Sequence, residues 1–322
     1  MKITVIGGAG FIGSNLIGSL LQKTGGEVLA YDNFSSGTHW HLSPYVGNPR
    51  LKVSEADILD NDRLMTALQG CDLLYHLASN PDISLAATEP AVDFDRGTLL
   101  THRVLEAARK SGVKLIIYAS GSGVFGDDAA REFDEEGFSP KPTSTYAASK
   151  IAGEALLSAY CHMFGMNGLT FRFANVVGPN QTHGVGYDFI RKLKANPRRL
   201  EVLGNGTQSK SYIYVDDVLA GLTMFLGGNI REKRAYDYFN LCTGDYITVK
   251  EIAQLVIKEL QLTDVDVAYG TSSKGWSGDV PIIRFSSEKI RRLGWKNNYT
   301  SHVAMQKSVA GMIQNFSRAN SR

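Results

Sequence analysis

Cysteine is scarce in this chain of 322 residues. The three cysteines, Cys71, Cys161 and Cys242, lie far apart and in none of the paired spacings that form zinc sites. Each falls in an apolar stretch, where cysteine usually behaves as a small hydrophobic residue. We therefore expect three buried, reduced thiols. The seven histidines show no metal-binding spacing either, so the sequence predicts no metal site.

Long apolar runs and blocks of like charge are also missing. The formal net charge is only +2, and no Lys/Arg block is interleaved with aromatics as a nucleic-acid groove requires. The apolar run Met1–Ile6 is too short for a signal peptide or a membrane span. These absences argue against nucleic-acid and membrane partners and predict a cytoplasmic protein. The hydrophobic content of 43% suffices for a large core.

The first half of the chain alternates short β-branched runs with longer amphipathic stretches. Strands that alternate with helices predict a parallel sheet wound on both faces, an α/β fold of the Rossmann type. The predicted strands are Ile3–Ile6, Glu27–Tyr31, Leu51–Val53, Asp72–Ala78, Leu115–Ser120 and Gly168–Phe173. From about Asn175 the pattern changes to Gly-, Pro- and Asn-rich loops. We therefore predict a dinucleotide-binding domain over 1–174 and a smaller C-terminal substrate-binding lobe over 175–322, with segments that return to the first domain.

A glycine-rich segment follows the first predicted strand and opens the first helix. Gly7, Gly10 and Gly13 are spaced three and three. In this context they allow a tight turn, a close approach of phosphate to the helix N-terminus, and close packing of helix on strand. Asp32 ends the second strand about 20 residues later, where a carboxylate binds adenosine ribose hydroxyls and repels a 2′-phosphate. Together they predict NAD; the alternatives are a plain strand-to-helix turn and a turn-forming aspartate.

Tyr146 and Lys150 are four residues apart at the start of a helical pattern, so both face the same way. The lysine ammonium and an oxidised nicotinamide would each favour the phenolate and lower the tyrosine pKa. A tyrosinate could then take a hydroxyl proton as hydride leaves. The same spacing is common on exposed helix faces, so the pair alone carries little weight.

In this order, the loop, the acid and the pair resemble the extended short-chain dehydrogenase/reductase family over essentially the whole chain. The stretches Asp57-Ile58, His76-Leu77-Ala78-Ser79 and Arg172–Pro179 also match its motifs. The resemblance implies the same fold and NAD as cofactor. The residues it implies for NAD are Gly7, Gly10, Phe11, Ile12, Gly13, Asp32, Asn33, Ser36, Gly37, Asp57, Ile58, Leu77, Ala78, Ser79, Ser120, Tyr146 and Lys150.

Within that family the chain is most similar to the UDP-glucose (UDP-galactose) 4-epimerases, through loops that line the nucleotide-sugar site in relatives. By this resemblance Asn175 and Lys210 approach the diphosphate and Asp279 lies near the uridine. Tyr212 and His183 are further candidates for substrate contact. The alternatives are loop caps for Asn175 and Asp279, a solvated charge for Lys210 and an ordinary loop residue for His183.

Three positions depart from the family pattern. Gly121 stands where relatives carry the Ser or Thr that hydrogen-bonds the reacting sugar hydroxyl, so Ser122, or else Ser120, is the candidate replacement; both could instead only satisfy backbone groups. The usual asparagine before the fourth helix is replaced within Asp95–Thr98, where Gly97 lies, and Trp276 replaces an arginine. Gly123 lacks the acid of dehydrating and decarboxylating relatives, which argues against a 4,6-dehydratase.

The leading prediction is an isomerase, an NAD-dependent UDP-sugar 4-epimerase that works through a transient 4-keto sugar. The alternatives are a UDP-glucuronate epimerase or decarboxylase, another NAD-dependent nucleotide-sugar oxidoreductase, and a protein that kept NAD but lost the chemistry. The helices that pair subunits in the family correspond to Leu99–Arg109 and Ala148–Phe164. Both carry apolar stripes, which predicts a homodimer.

Overall fold

The computed structural model describes residues 1–128, 131–136, 140–226 and 235–319. The chain divides into two compact units that exchange segments: the first comprises Met1–Val124, Thr145–Arg172 and Leu219–Phe239, and the second comprises Phe125–Ser144, Phe173–Val218 and Asn240–Arg322. The domain boundary that we predicted between residues 174 and 175 stays a prediction.

The α-helices are α1 Phe11–Lys23, α2 His39–Leu42, α3 Asn61–Leu68, α4 Ala91–Asp93, α5 Leu100–Lys110, α6 Thr145–Phe164, α7 Val185–Ala195, α8 Val215–Thr223, α9 Val249–Glu259, α10 Glu288–Arg291 and α11 Ser301–Ala319. The strands are β1 Lys2–Ile6, β2 Glu27–Asp32, β3 Leu51–Glu55, β4 Leu73–His76, β5 Leu115–Gly121, β6 Glu132–Phe133, β7 Asn167–Phe173, β8 Asn175–Val177, β9 Arg199–Val202, β10 Ser209–Lys210, β11 Tyr212–Tyr214, β12 Tyr236–Leu241, β13 Ile247–Thr248, β14 Asp266–Tyr269 and β15 Arg284–Phe285.

The central feature is a seven-stranded sheet in the order β12-β7-β5-β4-β1-β2-β3. The pairings β1–β2, β2–β3, β1–β4 and β4–β5 are parallel. The order reverses between β1 and β4, which is the point where such sheets bind ligands at the carboxyl ends of their strands. The structure confirms the predicted doubly wound α/β fold and all six predicted strands, with ends that differ by one or two residues.

The central strands of the sheet are buried on both faces, as in parallel sheets generally. Each residue of β4 is buried, and in β5 only Gly121 is partly exposed. One face packs against α3, α5 and α6 in a core that includes Leu68, Val104 and Leu157. This packing fixes α6, which carries the candidate catalytic pair, against the ends of the central strands.

In the second unit α7, α9 and α11 pack on one another. Gly186 of α7 lies so close to α11 that an added Cβ would come within 3.2 Å of the Met305 sulfur. Helix α9 begins with a capping box, in which the Thr248 hydroxyl accepts from the Glu251 amide and the Glu251 side chain reaches back to Thr248. The predicted helices at 249–260 and 301–316 are confirmed.

Candidate active site

The glycine-rich segment forms a tight turn between β1 and α1. Gly7 has φ of 81°, a conformation that suits glycine. A Cβ on Gly13 would lie 2.1 Å from the Gly7 carbonyl oxygen, and one on Gly10 would lie 3.3 Å from the same atom. The turn therefore needs glycine at 13 and leaves the backbone at 10 bare.

The N-terminus of α1 is open to an anion. Among the described residues no side chain caps it at Gly10, and its first turn carries no acidic residue. Backbone amides at such a helix end, together with the helix dipole, bind phosphate. The predicted contacts at Phe11 and Ile12 lie in this first turn.

Asp32, at the end of β2, faces the same turn. Its Oδ2 accepts a hydrogen bond from the Ala9 amide at 2.9 Å, and its Oδ1 accepts from the Phe34 amide at 2.8 Å. The next loop also meets the turn, because Thr38 donates to the Ala9 carbonyl at 3.1 Å and a Cβ on Gly37 would lie 2.8 Å from the Ala9 Cβ. Asp32 and Gly37 are therefore both held beside the glycine-rich turn at 7–13, which we call the phosphate turn.

Asn33 and Asp57 are joined by a hydrogen bond of 2.7 Å from Asn33 Nδ2 to Asp57 Oδ2. Asp57 also accepts from the Leu59 amide, and Ile58 is buried beside it. Ser36 is exposed, and no described contact connects it to this group. The structure thus brings most of the residues predicted for the adenosine end into one place beside the phosphate turn.

The segment after β4 lies on the other side of the turn. A Cβ on Gly7 would come 2.8 Å from the Ala78 amide nitrogen. His76 is buried, with Nε2 3.0 Å from the Thr101 hydroxyl, and its burial lowers its pKa to about 3, with the nearby Lys150 charge acting in the same direction. His76 is therefore a neutral core residue at the carboxyl end of β4.

Tyr146 and Lys150 occupy the first turns of α6 and face the same way, as predicted. Lys150 is buried, with Nζ 5.5 Å from the centre of the Tyr146 ring. The ammonium donates to the Ala119 carbonyl at 2.8 Å. The Ser79 side chain hydrogen-bonds Tyr146, which brings the segment after β4 to the phenol.

Burial raises the pKa of Tyr146, the hydrogen bond from Ser79 lowers it, and the charge of Asp93 raises it. The lowering predicted from the lysine is therefore not achieved by these residues alone, because burial is the largest influence on the pKa of the phenol. Burial lowers the pKa of Lys150 to about 8, against the raising effect of Glu154 and Asp93. The pKa of Tyr146 is thus raised while that of Lys150 is lowered, which sets the two groups further apart in acidity than free side chains are, with the lysine the more acidic.

The two candidate serines differ in environment. Ser120 is buried, and its hydroxyl donates to Glu154 at 2.6 Å. Ser122 is partly exposed and begins a short 3-10 turn that ends at Phe125. Which of the two meets a substrate remains a prediction.

The family departures have different steric settings. No described atom lies within 4 Å of a Cβ built on Gly121. A Cβ on Gly123 would lie 3.3 Å from the Ala147 Cβ, and one on Gly97 would lie 2.6 Å from the Ser149 hydroxyl. A side chain therefore fits at 121, is tight at 123 and is blocked at 97.

In the second unit Lys210 and Asp279 form an ion pair of 2.6 Å, and the other carboxylate oxygen accepts from the Gly275 amide at 3.0 Å. Tyr212 is buried, and the Asp279 charge adds to the burial that raises its pKa. Asn175 donates to the Ser211 carbonyl at 3.3 Å. These four predicted residues thus lie on or beside neighbouring short strands and one loop.

His183 is exposed in the loop before α7. Trp276 shares the Asp279 loop, since its ring would touch a Cβ on Gly278. Among the described residues no three His, Cys, Asp or Glu side chains are placed to hold a metal ion. In that same part of the chain every helix is too short or too polar to cross a membrane.

Comparison with known proteins decides the family. The model of the NAD dependent epimerase/dehydratase family matches residues 3–242. The chain belongs to this family. The resemblance found in the sequence is thereby confirmed.

Several family members match nearly the full chain. A UDP-glucose 4-epimerase from Mycolicibacterium smegmatis is 29% identical over 98% of this chain and 98% of its own length. A dTDP-D-glucose 4,6-dehydratase from Mus musculus is also 29% identical, over 98% of this chain and 89% of its own. A crystal structure of a UDP-galactose 4-epimerase is 35% identical with a TM-score of 0.87, covering 98% of this chain and 99% of that one.

NAD is the cofactor of the family, and the residues present fit it. The bare turn at Gly10 and the uncapped helix end suit a pyrophosphate. The Asp32 carboxylate beside that turn suits unmodified ribose hydroxyls and disfavours a 2′-phosphate. These residues would hold NAD, with Tyr146 and Lys150 toward its reactive end.

Sequence reasoning missed two buried carboxylates near the pair, Asp93 and Glu154. Asp93 is buried and accepts from Thr145 at 2.7 Å and from Asn80 at 2.9 Å. Glu154 lies one turn beyond Lys150 and pairs with Arg172. The spacing of Tyr146, Lys150 and Glu154 by four residues was the available signal, because it places all three on one helix face.

Proposed function

We propose that this protein is an isomerase that inverts a UDP-sugar at C4, with UDP-glucose and UDP-galactose as the first candidates. The observation that carries the proposal is the Tyr146–Lys150 pair on α6, close to a turn that fits NAD, with no carboxylate at Ser122 or Gly123. This combination supplies proton transfer and hydride transfer at one carbon. It supplies no acid for eliminating water.

The proposed chemistry is proton transfer by Tyr146. The tyrosinate takes the proton of the sugar hydroxyl at C4 and becomes a phenol, and it returns the proton when the carbonyl is reduced. Bound NAD supplies the hydride acceptor and then the donor, so the net reaction neither oxidises nor reduces the sugar. Lys150 stabilises the phenolate by its charge. The 4-keto sugar must rotate to present its opposite face before it is reduced, because otherwise the product is the same as the substrate.

The lack of an acid favours epimerisation over dehydration. Eliminating water from a 4-keto sugar needs a general acid at the leaving hydroxyl. Gly123 carries none, and a side chain there would press on Ala147 at 3.3 Å. Relatives of both kinds are equally similar to this chain, so the residues at 122 and 123 carry the distinction.

We propose that Asn175 and Lys210 bind the diphosphate and that Tyr212 and Asp279 shape the nucleotide end, with His183 as a further candidate contact. Lys210 is held by Asp279 at 2.6 Å. A diphosphate must therefore compete with a carboxylate for this ammonium. Because Trp276 stands where relatives carry an arginine, Lys210 is the side chain that offers a positive charge among these proposed contacts.

The test is to incubate the protein with UDP-glucose, UDP-galactose, UDP-N-acetylglucosamine, UDP-glucuronate and dTDP-glucose, with and without added NAD, and to separate the products by chromatography with mass detection. A new peak of unchanged mass supports the proposal and identifies the sugar. Loss of water would indicate a dehydratase, loss of carbon dioxide a decarboxylase, and accumulating NADH a net dehydrogenase. Any of these three would overturn the proposal.

The matched control is Tyr146→Phe, which removes one oxygen and keeps the ring. We expect it to fold and bind NADH like the wild type. Conversion should fall by about 10²-fold or more, since general acid–base groups contribute on this scale. A variant with wild-type conversion would remove Tyr146 from the mechanism.

A further inference from the structure

A buried carboxylate stands one helical turn beyond the catalytic lysine. Glu154 of α6 receives the guanidinium of Arg172, with Nη2 2.6 Å and Nε 3.2 Å from Oε2 and Nε 3.0 Å from Oε1. The Ser120 hydroxyl donates to Oε1 at 2.6 Å. The Glu154 and Arg172 side chains are only 10% and 6% exposed.

These contacts join α6 to two strands of the sheet. Ala119 and Ser120 are consecutive in β5, and Lys150 and Glu154 are one turn apart in α6. The Ala119 carbonyl accepts from Lys150 at 2.8 Å, and Ser120 donates to Glu154. Two adjacent strand residues are thus connected to two residues on the facing turn of the helix, and Arg172 adds β7, the neighbour of β5.

The Arg172 side chain is itself fixed. Its guanidinium carbon lies 4.7 Å from the centre of the Tyr238 ring, an arrangement that holds the plane of the fork. A bidentate guanidinium–carboxylate pair has a narrow preferred geometry. Glu154 is therefore held in one orientation by Arg172 of β7, a different strand from the one that carries Ser120.

The groups that face Lys150 come from several elements. Tyr146 and Glu154 belong to α6, and Asp93 ends α4, just before a π-helical turn at Phe94–Leu99 that packs on α6. The Tyr118 ring of β5 lies 5.2 Å from the ammonium, and the neutral His76 of β4 is close enough to sense its charge. Glu154 and Asp93 are thus the two carboxylates that favour the charged lysine against its burial.

We propose that Glu154 is a positioning residue that fixes the Ala119 carbonyl against Lys150, through Ser120 and Arg172, and keeps the buried ammonium charged where NAD is held. It acts through Lys150 and touches no reacting atom itself. The proposal rests on Lys150 belonging to the cofactor site and does not depend on which sugar the protein converts.

The test uses NADH binding, followed by fluorescence as a function of pH without any sugar. Glu154→Gln alone would leave Arg172 buried without its counter-charge and is expected to unfold more easily. The informative variant is therefore the double change Glu154→Gln with Arg172→Gln, which removes both charges and leaves two amides that can pair. Its melting temperature reports whether folding is restored.

We expect the double variant to melt close to the wild type and to bind NADH about tenfold more weakly, the size typical when a supporting residue that orients a binding residue is lost. Removing the carboxylate disfavours the charged lysine, so the alkaline loss of NADH affinity should move to lower pH. Wild-type affinity with an unchanged pH dependence would show that Glu154 only stabilises the fold, and would overturn the proposal.

Two further variants keep the test decisive if the double variant does not fold. Glu154→Asp keeps the charge on a shorter side chain, and Ser120→Ala removes the hydroxyl that connects Glu154 to β5. Both should weaken NADH binding, and both should lose NADH affinity at the same alkaline pH as the wild type. Asp72→Asn, which removes the charge of a partly exposed carboxylate paired with Lys114 and keeps an oxygen that can accept from the Lys2 amide, is the control. The proposed role is wrong if either variant moves the alkaline loss of NADH affinity to lower pH, as expected of the double variant. It is also wrong if neither variant changes the affinity for NADH.

Discussion

Two glycines near the candidate catalytic pair lie in different steric environments. Gly121 ends β5 with no described atom within 4 Å of a built Cβ, whereas a Cβ on Gly97 would lie 2.6 Å from the Ser149 hydroxyl. Gly97 lies in a π-helical turn, Phe94–Leu99, that packs on α6. The first glycine is therefore free to vary, and the second is required by close packing.

We expect Gly121→Ser to fold at least as stably as the wild type, because the site has room and a side chain restricts the unfolded chain by about 0.4–1 kcal/mol. It also adds a hydroxyl at the position where relatives carry one, so conversion should not fall. Gly97→Ala, the paired control, should lose about 1–3 kcal/mol through overpacking. Thermal unfolding of both measures this, and equal losses would contradict the steric distinction.

His76 makes stability depend on acidity. Burial lowers its pKa to about 3 in the folded protein, while an unfolded histidine titrates near 6.5. The unfolded chain therefore binds the extra proton first as the pH falls, and the contribution of this residue, complete above about 6.5, is lost between about 6.5 and 3.

We expect His76→Gln, whose amide can replace Nε2 at the Thr101 hydroxyl, to show a shallower loss of stability across that window. The difference in slope should approach about 1.4 kcal/mol per pH unit. Denaturant unfolding at pH 7, 6, 5 and 4 gives the slopes. Parallel curves for the two proteins would mean that His76 is not the residue that titrates.

At the scale of elements, α1 depends on one glycine for its contact with β1. A Cβ at Gly13 would meet the Gly7 oxygen at 2.1 Å, and the atoms it would displace are backbone. We expect Gly13→Ala to lose about 1–3 kcal/mol of stability and to bind NADH poorly, since the helix end that we propose as the phosphate site must shift.

Gly25 is the matched control for that change, because it lies two residues after the end of α1 and no described atom lies within 4 Å of its built Cβ. Gly25→Ala should keep both stability and NADH binding. Melting temperature and NADH fluorescence decide the comparison. Similar behaviour of the two variants would refute the packing role of Gly13.

Local sequence patterns predicted the elements whose residues follow the periodicity of a strand or a helix. The strands β1 to β5 read as short β-branched or apolar runs, and the spacing of Tyr146 and Lys150 placed both on one face of α6. The π-helical turn at Phe94–Leu99 could not be predicted this way, because its form depends on packing against Ser149. The Glu154–Arg172 pair is likewise set by the neighbouring strand β7.

At the scale of the whole molecule, chain order does not follow spatial order. Leu219–Phe239 returns to the first unit and Phe125–Ser144 belongs to the second. A composition change at about Asn175 marks where loops become frequent, but long-range contacts decide which segments pack together. The partners of Lys210 and Glu154 lie 69 and 18 or more residues away, and periodicity carries no information at such distances.

The predicted homodimer involves α5 and α6, which pack side by side in the first unit. The Tyr160 hydroxyl lies 3.3 Å from Glu106, and the Arg109 guanidinium lies 5.0 Å from the centre of the Phe164 ring. At the end of α6, Met163 is 72% and Phe164 45% exposed. Adjacent exposed large apolar side chains of this kind are typical of an interface.

We expect the protein to have twice the mass of one chain by light scattering coupled to size exclusion, and the double change Met163→Glu with Phe164→Glu to have the mass of one. Two like charges facing their copies across a two-fold axis repel, and each must also be desolvated. Val46→Glu, at an exposed position in another loop, is the control and should remain a dimer. A monomeric wild type, or a charged variant that still dimerises, would place the interface elsewhere and free this end of α6 for another role.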